Sequence, residues 1–240
     1  MKIPIRRAML LFSLLLGLGY GLVAGCSPTS SAEETPSPSA ETVLSEAVEK
    51  LKAAQSYRFE ITAVHNWVFE GQEQKYEFEG EGAFAKPNRF RSAITDATAD
   101  SHFWIEINNG VVTARDNKGD VANATTAFGG PGFGTAPYTV IAYLKNFREA
   151  TSQGTTSLSG VEAYHLGFTA DRASVSAMDT AHASAMERVT SVQGTVWVDK
   201  AEPVIRKTSV EVEFFSRSGQ KETVTMTLRF FDFNKPVEFE

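Results

Sequence analysis

The chain has 240 residues, of which 29 are acidic and 23 basic, and its net charge at pH 7 is −6. This acidic balance argues against nucleic acid as a partner and against broad electrostatic binding to anionic lipid. About 200 residues remain once an N-terminal export segment and a linker are set aside, and that length suits one domain.

Residues 1–25 have the features of a lipoprotein signal peptide. Three basic residues are followed by a mostly apolar run, Ala8–Val23, which is shorter than the roughly 20 residues that a bilayer-spanning helix needs. Val23-Ala24-Gly25-Cys26 resembles the lipobox of bacterial lipoproteins. The resemblance implies cleavage between Gly25 and Cys26 and a diacylglyceryl group on the Cys26 thiol, with acyl chains such as palmitate. The alternative is an ordinary membrane-anchor helix with an incidental cysteine.

Residues 26–40 are predicted to be the acylated cysteine and a disordered tether. Ser27–Ala40 consists mainly of Ser, Pro, Thr, Ala and Glu and has no apolar residue larger than Ala. Fully extended, it spans at most about 50 Å. Cys26 is the only cysteine, so its acylation leaves no disulfide to stabilise the domain. Loss of Lys2, Arg6 and Arg7 with the signal changes the net charge from −6 to −9.

The domain, residues 41–240, begins with a predicted helix over Glu41–Ala54. Its apolar residues recur with helical spacing and share one face: Val43, Leu44, Ala47, Val48 and Leu51. The pattern then changes to period two and predicts a hairpin, with arms Tyr57–Phe69 and Tyr76–Phe84 and a turn at Gly71. Gly80 and Gly82 indicate a bulge or bend. The meander is predicted to continue through Phe90–Ile94, Phe103–Ile107 and Val111–Arg115.

The centre of the chain is irregular at residues 128–137, FGGPGFGTAP, because glycine and proline dominate there. A helix is predicted over Pro137–Ala150, with Pro137 in its first turn. Strands follow at Thr155–Ser159 and Glu162–Phe168, and an apolar stripe predicts a third helix over Arg172–Val189. Three long strands are predicted to complete the domain: Gln193–Asp199, Val204–Phe215 and Glu222–Phe233.

These elements predict an α+β fold. The strands are predicted to form one strongly curved antiparallel sheet of about nine to eleven strands, because short turns favour a meander and a sheet this wide must curl. About three helices lie on the concave face, where their apolar sides can be buried.

Four features resemble the LolA-like superfamily of bacterial lipoprotein and lipid carriers, in particular its LppX/LprG-type lipoprotein branch. They are the lipobox with its tether, an amphipathic helix leading into Ser56–Ala63, the strand–turn–strand Gly194–Val212, and the ending Leu228–Phe239. The resemblance covers residues 41–240. It implies a half-barrel sheet whose helices enclose an apolar cavity for acyl chains. The central glycine-rich segment departs from the family pattern.

No catalytic signature is present in the sequence. The four histidines are scattered, and there is no zinc, phosphate-loop or nucleophile-elbow motif. We therefore expect no enzyme activity, no metal and no cofactor. The function that the resemblance implies is that of an envelope lipoprotein, attached outside the cytoplasmic membrane by acyl chains on Cys26, which binds or carries a lipid or acylated molecule. Ser27 after Cys26 leaves outer-membrane sorting open in an organism with two membranes.

The residues expected to line the cavity are apolar and come from several elements. They are Phe59, Ile61, Trp67, Phe84, Phe103, Ile141, Leu144, Met178, Met186, Trp197 and Leu228. The other reading of these side chains is a plain, filled core. The alternative function is then a non-enzymatic envelope interaction or stress-sensing protein on the same scaffold. In either case we expect a monomer that does not bind nucleic acid.

Overall fold

The structure is a computed structural model, and it describes residues 38–87, 89–96, 101–108, 111–117, 119, 121–122, 136–170, 188–216 and 218–239. Its helices and strands, in chain order, are α1 Ala40–Ala53, β1 Ser56–Phe69, β2 Gln72–Ala85, β3 Arg89–Asp96, β4 Ser101–Asn108, β5 Val111–Asp116, β6 Val121–Ala122, α2 Ala136–Lys145, β7 Phe147–Leu158, β8 Val161–Ala170, β9 Val189–Asp199, β10 Ile205–Phe215 and β11 Lys221–Phe231.

All of these strands belong to one antiparallel sheet with the order β6-β5-β4-β3-β2-β1-β11-β10-β9-β8-β7. Two meanders, β1 to β6 and β7 to β11, meet where β1 pairs with β11 along Arg58↔Phe231 to Asn66↔Thr223. The predicted curved half-barrel sheet of an α+β fold is confirmed. The contact between the first and last strands joins the two halves into one surface.

The two faces of the sheet differ in side-chain character. Phe59, Ile61 and Ala63 of β1 are buried on the face that carries the helices, which we call the inner face. Arg58 and Glu60 are exposed on the opposite, outer face. Because side chains alternate along each strand, one register sets both faces. The row Gly80, Ile61, Leu228, Thr208, Val196 and Leu166 therefore crosses the inner face of six strands.

Helix α1 packs its apolar stripe on the inner face. The side chain of Ser39 caps it by accepting a hydrogen bond from the Thr42 N–H at 3.2 Å. Lys50 and Lys52 lie in the last turn, where cations interact favourably with the helix dipole. All five predicted stripe residues, from Val43 to Leu51, are buried. The prediction of this helix is therefore confirmed, with each end shifted by one residue.

The predicted helices in the centre of the chain need two corrections. Helix α2 ends at Lys145 and not at Ala150, because Phe147–Ala150 pairs with β8 as the start of edge strand β7. Most of the third predicted helix, Arg172–Val189, lies outside the described part of the chain. Only its last two residues are described. Val189 begins strand β9. No helix in the described ranges is both long enough and apolar enough to cross a bilayer.

Candidate functional site

The deepest part of the inner face is built from aromatic rings packed over glycines. Phe59 pairs with Gly82 across β1 and β2, and a Cβ at Gly82 would lie 2.3 Å from the Cζ atom of Phe59. The glycine therefore provides the space that the ring occupies. Phe59 also stacks on Phe90, with ring centroids 5.4 Å apart and planes 7° apart. The neighbouring pair Tyr57 and Phe84 stacks at 4.9 Å.

The helices lie on the neighbouring part of the inner face, with α1 against β7, β9 and β10 and α2 against β11. Leu44 of α1 and Leu144 of α2 are 0% exposed, and both belong to the same apolar core as Phe59 and Leu228. Tyr143 is also fully buried, and burial raises the pKa of its phenol far above the usual value. Tyr143 is therefore neutral at every physiological pH. This side of the site is a dry, closely packed wall.

Coverage of the inner face decreases toward the β1–β2 turn. Along β1, Ala63 is 3% exposed, Trp67 is half-buried and Phe69 is 59% exposed. On β2, Tyr76 and Phe78 are half-buried, and their rings meet edge to face at 4.3 Å. The inner face thus continues as an aromatic surface beyond the closely packed core.

One polar pair lies among these aromatic side chains. His65 Nε2 and Glu222 Oε2 are 2.7 Å apart, and both side chains are mostly buried. The His65 ring lies 4.9 Å from Trp67 and stacks on Phe214 at 5.9 Å. The pair therefore places a hydrogen-bonding group where the inner face opens. We had not predicted this contact, and the only sequence signal was a histidine in phase with apolar residues.

The outer face carries two surface depressions with mixed polar and apolar linings. One, of about 410 Å³, lies over β7 to β11. Its side chains include Glu149, Thr151, Gln153, Thr195, Ser209 and Glu211. The other, of about 480 Å³, is lined by Arg58, Glu81 and Arg91, by apolar residues that include Phe59, Trp104 and Phe231, and by the tail segment Val237–Phe239. Charged side chains contribute to both linings, whereas the inner face is mainly apolar, so the inner face is the better candidate site for acyl chains.

The structure brings six of the expected cavity residues together on the inner face of β1, β2 and β11 and on α2. Phe59, Ile61 and Leu228 are closely packed with Leu144, whereas Trp67 and Phe84 are half-buried. Two more are also near this core or its open side: Ile141, which is buried in α2, and Phe103, which is half-buried on the inner face of β4. Met178 and Met186 lie outside the described residues, as do Gly25 and Cys26.

Trp197 is placed differently from the expectation. Its β9 neighbours Val196 and Val198 point to the inner face, so Trp197 points to the outer face. There its ring stacks on His165 at 4.7 Å, and the Nζ atom of Lys207 lies 4.7 Å from the ring centroid. Trp197 is therefore not grouped with the inner-face residues.

Sequence reasoning omitted several inner-face residues. Phe90, Met226 and Phe230 are each at most 3% exposed and belong to the core. Their strands had been identified, so the period-two pattern could have included them. Among the described residues, no group of three or more His, Cys, Asp or Glu side chains is arranged to hold a metal ion.

No family model matches the sequence, and no curated protein does so either. Among solved structures, LprF from Mycobacterium bovis is 12% identical, with a TM-score of 0.50 over 85% of this chain and 96% of that one. The lipoprotein LppX from Mycobacterium tuberculosis is 14% identical, with a TM-score of 0.49 over 83% and 99% of the two chains. A LolA superfamily protein from Nitrosomonas europaea is 12% identical, with a TM-score of 0.35 over 85% and 96%. The likeness to LprF supports the fold expected from the sequence, and at this identity it concerns the fold alone.

Proposed function

We propose that the protein is a lipid-anchored lipoprotein of the bacterial cell envelope that binds a hydrophobic ligand, a lipid or an acylated molecule, between its sheet and helices. It would act by sequestration, without catalysing a reaction. The observation that carries the proposal is the way in which burial of the inner-face side chains decreases along the strands. A closely packed core around Phe59 is followed on the same face by the partly exposed aromatic side chains of Trp67, Tyr76 and Phe78, with the His65–Glu222 pair among them.

The physical reason is the hydrophobic effect. When an acyl chain covers a partly exposed aromatic surface, each Å² of apolar surface removed from water contributes about 25 cal/mol to the free energy of binding. Trp67 and Tyr76 have aromatic bodies with one polar atom each, so they suit the end of a site where a chain meets its headgroup. The His65–Glu222 pair, at 2.7 Å, supports the same orientation, because it offers polar atoms at that end.

The proposed anchor explains why the only cysteine follows an apolar run. Two or three acyl chains on Cys26 attach a protein far more firmly than one, since each buried methylene contributes about 0.8 kcal/mol. The tether then leaves the domain outside the membrane but close to it.

The test is lipid analysis of the full chain after expression in a bacterium with its own signal. We expect native mass spectrometry to show the chain cut before Cys26, with a diacylglyceryl mass added, and organic extraction to release a further, non-covalent lipid. Cys26→Ser should abolish the covalent mass.

A matched pair of variants separates the inner face from general surface effects. Trp67→Glu places a charge on the inner face, and Trp104→Glu makes the same change on the outer face, where Trp104 is 37% exposed. We expect Trp67→Glu to weaken binding of a fluorescent fatty acid about tenfold or more, because a buried carboxylate must be desolvated. Trp104→Glu should bind like the unaltered chain. Absence of extractable lipid and of fatty-acid binding would instead support the filled-core interaction protein.

A further inference from the structure

Large apolar side chains are exposed at one end of the sheet. Val68 and Phe69, at the end of β1, are 39% and 59% exposed, and Phe215, at the end of β10, is 44% exposed. The fourth exposed large hydrophobic residue among the described positions, Trp104, lies in the middle of β4 on the outer face. The exposed apolar surface is therefore concentrated at the end where β1 and β10 finish. We call Val68, Phe69 and Phe215 the apolar rim.

The register of the sheet places these residues at the same end of neighbouring strands. Phe215 pairs with Lys221 on β11, and Asn66 pairs with Thr223. Two residues beyond Asn66, Val68 lies level with Lys221, so Val68 and Phe215 flank it at about 10 Å from each other. Phe69 lies one residue further along β1 and points to the opposite, inner face. The rim therefore occupies both faces of one end of the sheet, with Val68 and Phe215 on the outer face on either side of Lys221.

The β1–β2 turn holds Phe69 in a defined position. Phe69 pairs with Gln72, and the two residues between them, Glu70 and Gly71, have φ angles of 50° and 78°. Positive φ at both central residues is the signature of a type I′ turn, whose twist matches that of the flanking strands. Phe69 is therefore presented at the tip of a regular hairpin.

Charges at the rim do not favour an acidic or a basic partner. Glu70 and Glu73 are exposed near the tip. The two lysines on this end are in ion pairs, Lys75 with Glu77 and Lys221 with Glu213. The cation Arg188 also lies here, and its carbonyl accepts a hydrogen bond from the Phe215 N–H at 2.9 Å, so charges of both signs surround the rim. An anionic membrane would thus attract the rim only weakly by its charge. Transfer of the rim into an apolar phase would be favourable because it removes the whole apolar area of the rim from water.

We propose that the apolar rim inserts into the surface of a lipid bilayer, with little dependence on anionic lipid. This inference rests on the proposed function, because the rim lies at the end where the inner face opens through Trp67. An acyl chain could then pass between the bilayer and the inner face without crossing water.

The tether expected from the sequence allows this placement. Because α1 begins at Ala40, the tether Ser27–Ser39 has 13 residues and would reach about 45 Å if extended. Strand β1, with 14 residues, is about 46 Å long. A chain anchored at Cys26 can therefore bring either end of the sheet to the membrane, and exposed apolar area decides which end is preferred.

The test measures how deeply the rim inserts into the bilayer. The full, acylated chain is reconstituted in phosphatidylcholine vesicles. Because Cys26 is the only cysteine and is acylated, Phe69→Cys offers a single free thiol for a nitroxide label. Ala201→Cys, an exposed position at the opposite end of the sheet, is the matched control. We expect the label at position 69 to be more accessible to oxygen than to a water-soluble nickel complex, and the label at position 201 to show the reverse. Adding phosphatidylglycerol to the vesicles should change neither result.

A second variant tests the consequence for ligand passage. Phe69→Ser combined with Phe215→Ser removes two exposed rings and no closely packed contact, so the fold should persist. We expect transfer of a fluorescent fatty acid from the chain to vesicles to slow about tenfold, a change of about 1.4 kcal/mol, while fatty-acid binding is retained. Equal water accessibility at positions 69 and 201, or protection of position 69 from both reagents by a second copy of the chain, would overturn the inference. A chain that binds no lipid but shows the expected depth would overturn the proposed function and leave the rim contact in place.

Discussion

Asp199, at the end of β9, has a side chain that is only 5% exposed, and its carboxylate accepts four hydrogen bonds. Its Oδ2 atom accepts hydrogen bonds from Arg206 Nε and Nη2 at 3.1 and 2.8 Å. Its Oδ1 atom accepts from the N–H groups of Ala201 and Glu202 at 2.9 and 3.2 Å. One carboxylate therefore closes the β9–β10 connection and neutralises the guanidinium beside it.

Asp199→Ala removes all four acceptor contacts at once. Breaking a fully buried ion pair costs about 3–5 kcal/mol. The Arg206 side chain is 31% exposed and regains some water, so we expect a loss of about 2–3 kcal/mol in the free energy of unfolding. Asp199→Asn keeps an oxygen for the two backbone N–H groups but loses the charge, and about 1–2 kcal/mol should be lost.

The stabilisation should depend on pH. Burial by itself would raise the pKa of Asp199, but the hydrogen bonds from Arg206, Glu202 and Ala201 outweigh it and hold the pKa below the usual value. A carboxylate with a lowered native pKa stabilises the fold above its unfolded pKa, about 3.9, and this stabilisation is lost as the pH falls through the native pKa. The advantage of aspartate over asparagine at this position should thus be complete above about pH 5 and shrink below about pH 4.

The assay is urea unfolding of the full chain in mild detergent, followed by tryptophan fluorescence and circular dichroism from neutral pH down to about pH 3. The reasoning is refuted if Asp199→Ala unfolds within about 0.5 kcal/mol of the unaltered chain at neutral pH. It is also refuted if the difference between the aspartate and asparagine forms stays constant over the whole pH range.

Three further outcomes can be measured in the same assay. Gly82→Ala should lower stability by about 1–3 kcal/mol, because its Cβ would lie 2.3 Å from the ring of Phe59, whereas Ala83→Ser on the outer face should change it by less than about 0.5 kcal/mol. Leu44→Ala should cost about 2–5 kcal/mol, since Leu44 is 0% exposed, and a loss below about 1 kcal/mol would mean that α1 does not pack as described. Arg229→Gln, which removes a half-exposed ion pair with Glu60, should have an effect below about 0.5 kcal/mol, and a larger loss would contradict its surface position.

Local patterns predicted most elements because they depend on neighbouring residues. The stripe from Val43 to Leu51 identified α1, and the alternation from Tyr57 to Phe69 identified β1 and its inner face. The end of α2 could not be predicted in the same way. Phe147–Ala150 has apolar residues compatible with a helix, but pairing with β8 places it in a strand. The non-local partner outweighs local helix propensity here.

The candidate site was predicted only in part. Apolar residues in clear alternation, such as Phe59, Ile61 and Leu228, fall where expected. Trp197 does not, because Val196, Trp197 and Val198 are all apolar and the sequence cannot say which of them face inward. The registers with β8 and β10 decide it. The His65–Glu222 contact joins residues 157 positions apart and has no local signal.

The sequence by itself determined what depends on chemistry within a few residues: the acidic charge, the lone cysteine after an apolar run, the first helix and the period-two strands. Only the tertiary structure decided which strands meet and which side of each is covered. The pairing of β1 with β11 joins two distant meanders, creates the shared inner face and brings Val68 and Phe215 to the same end of the sheet. The physical reason is that a strand pattern specifies two faces but not its neighbours, and neighbours determine which apolar side chains are buried and which stay exposed.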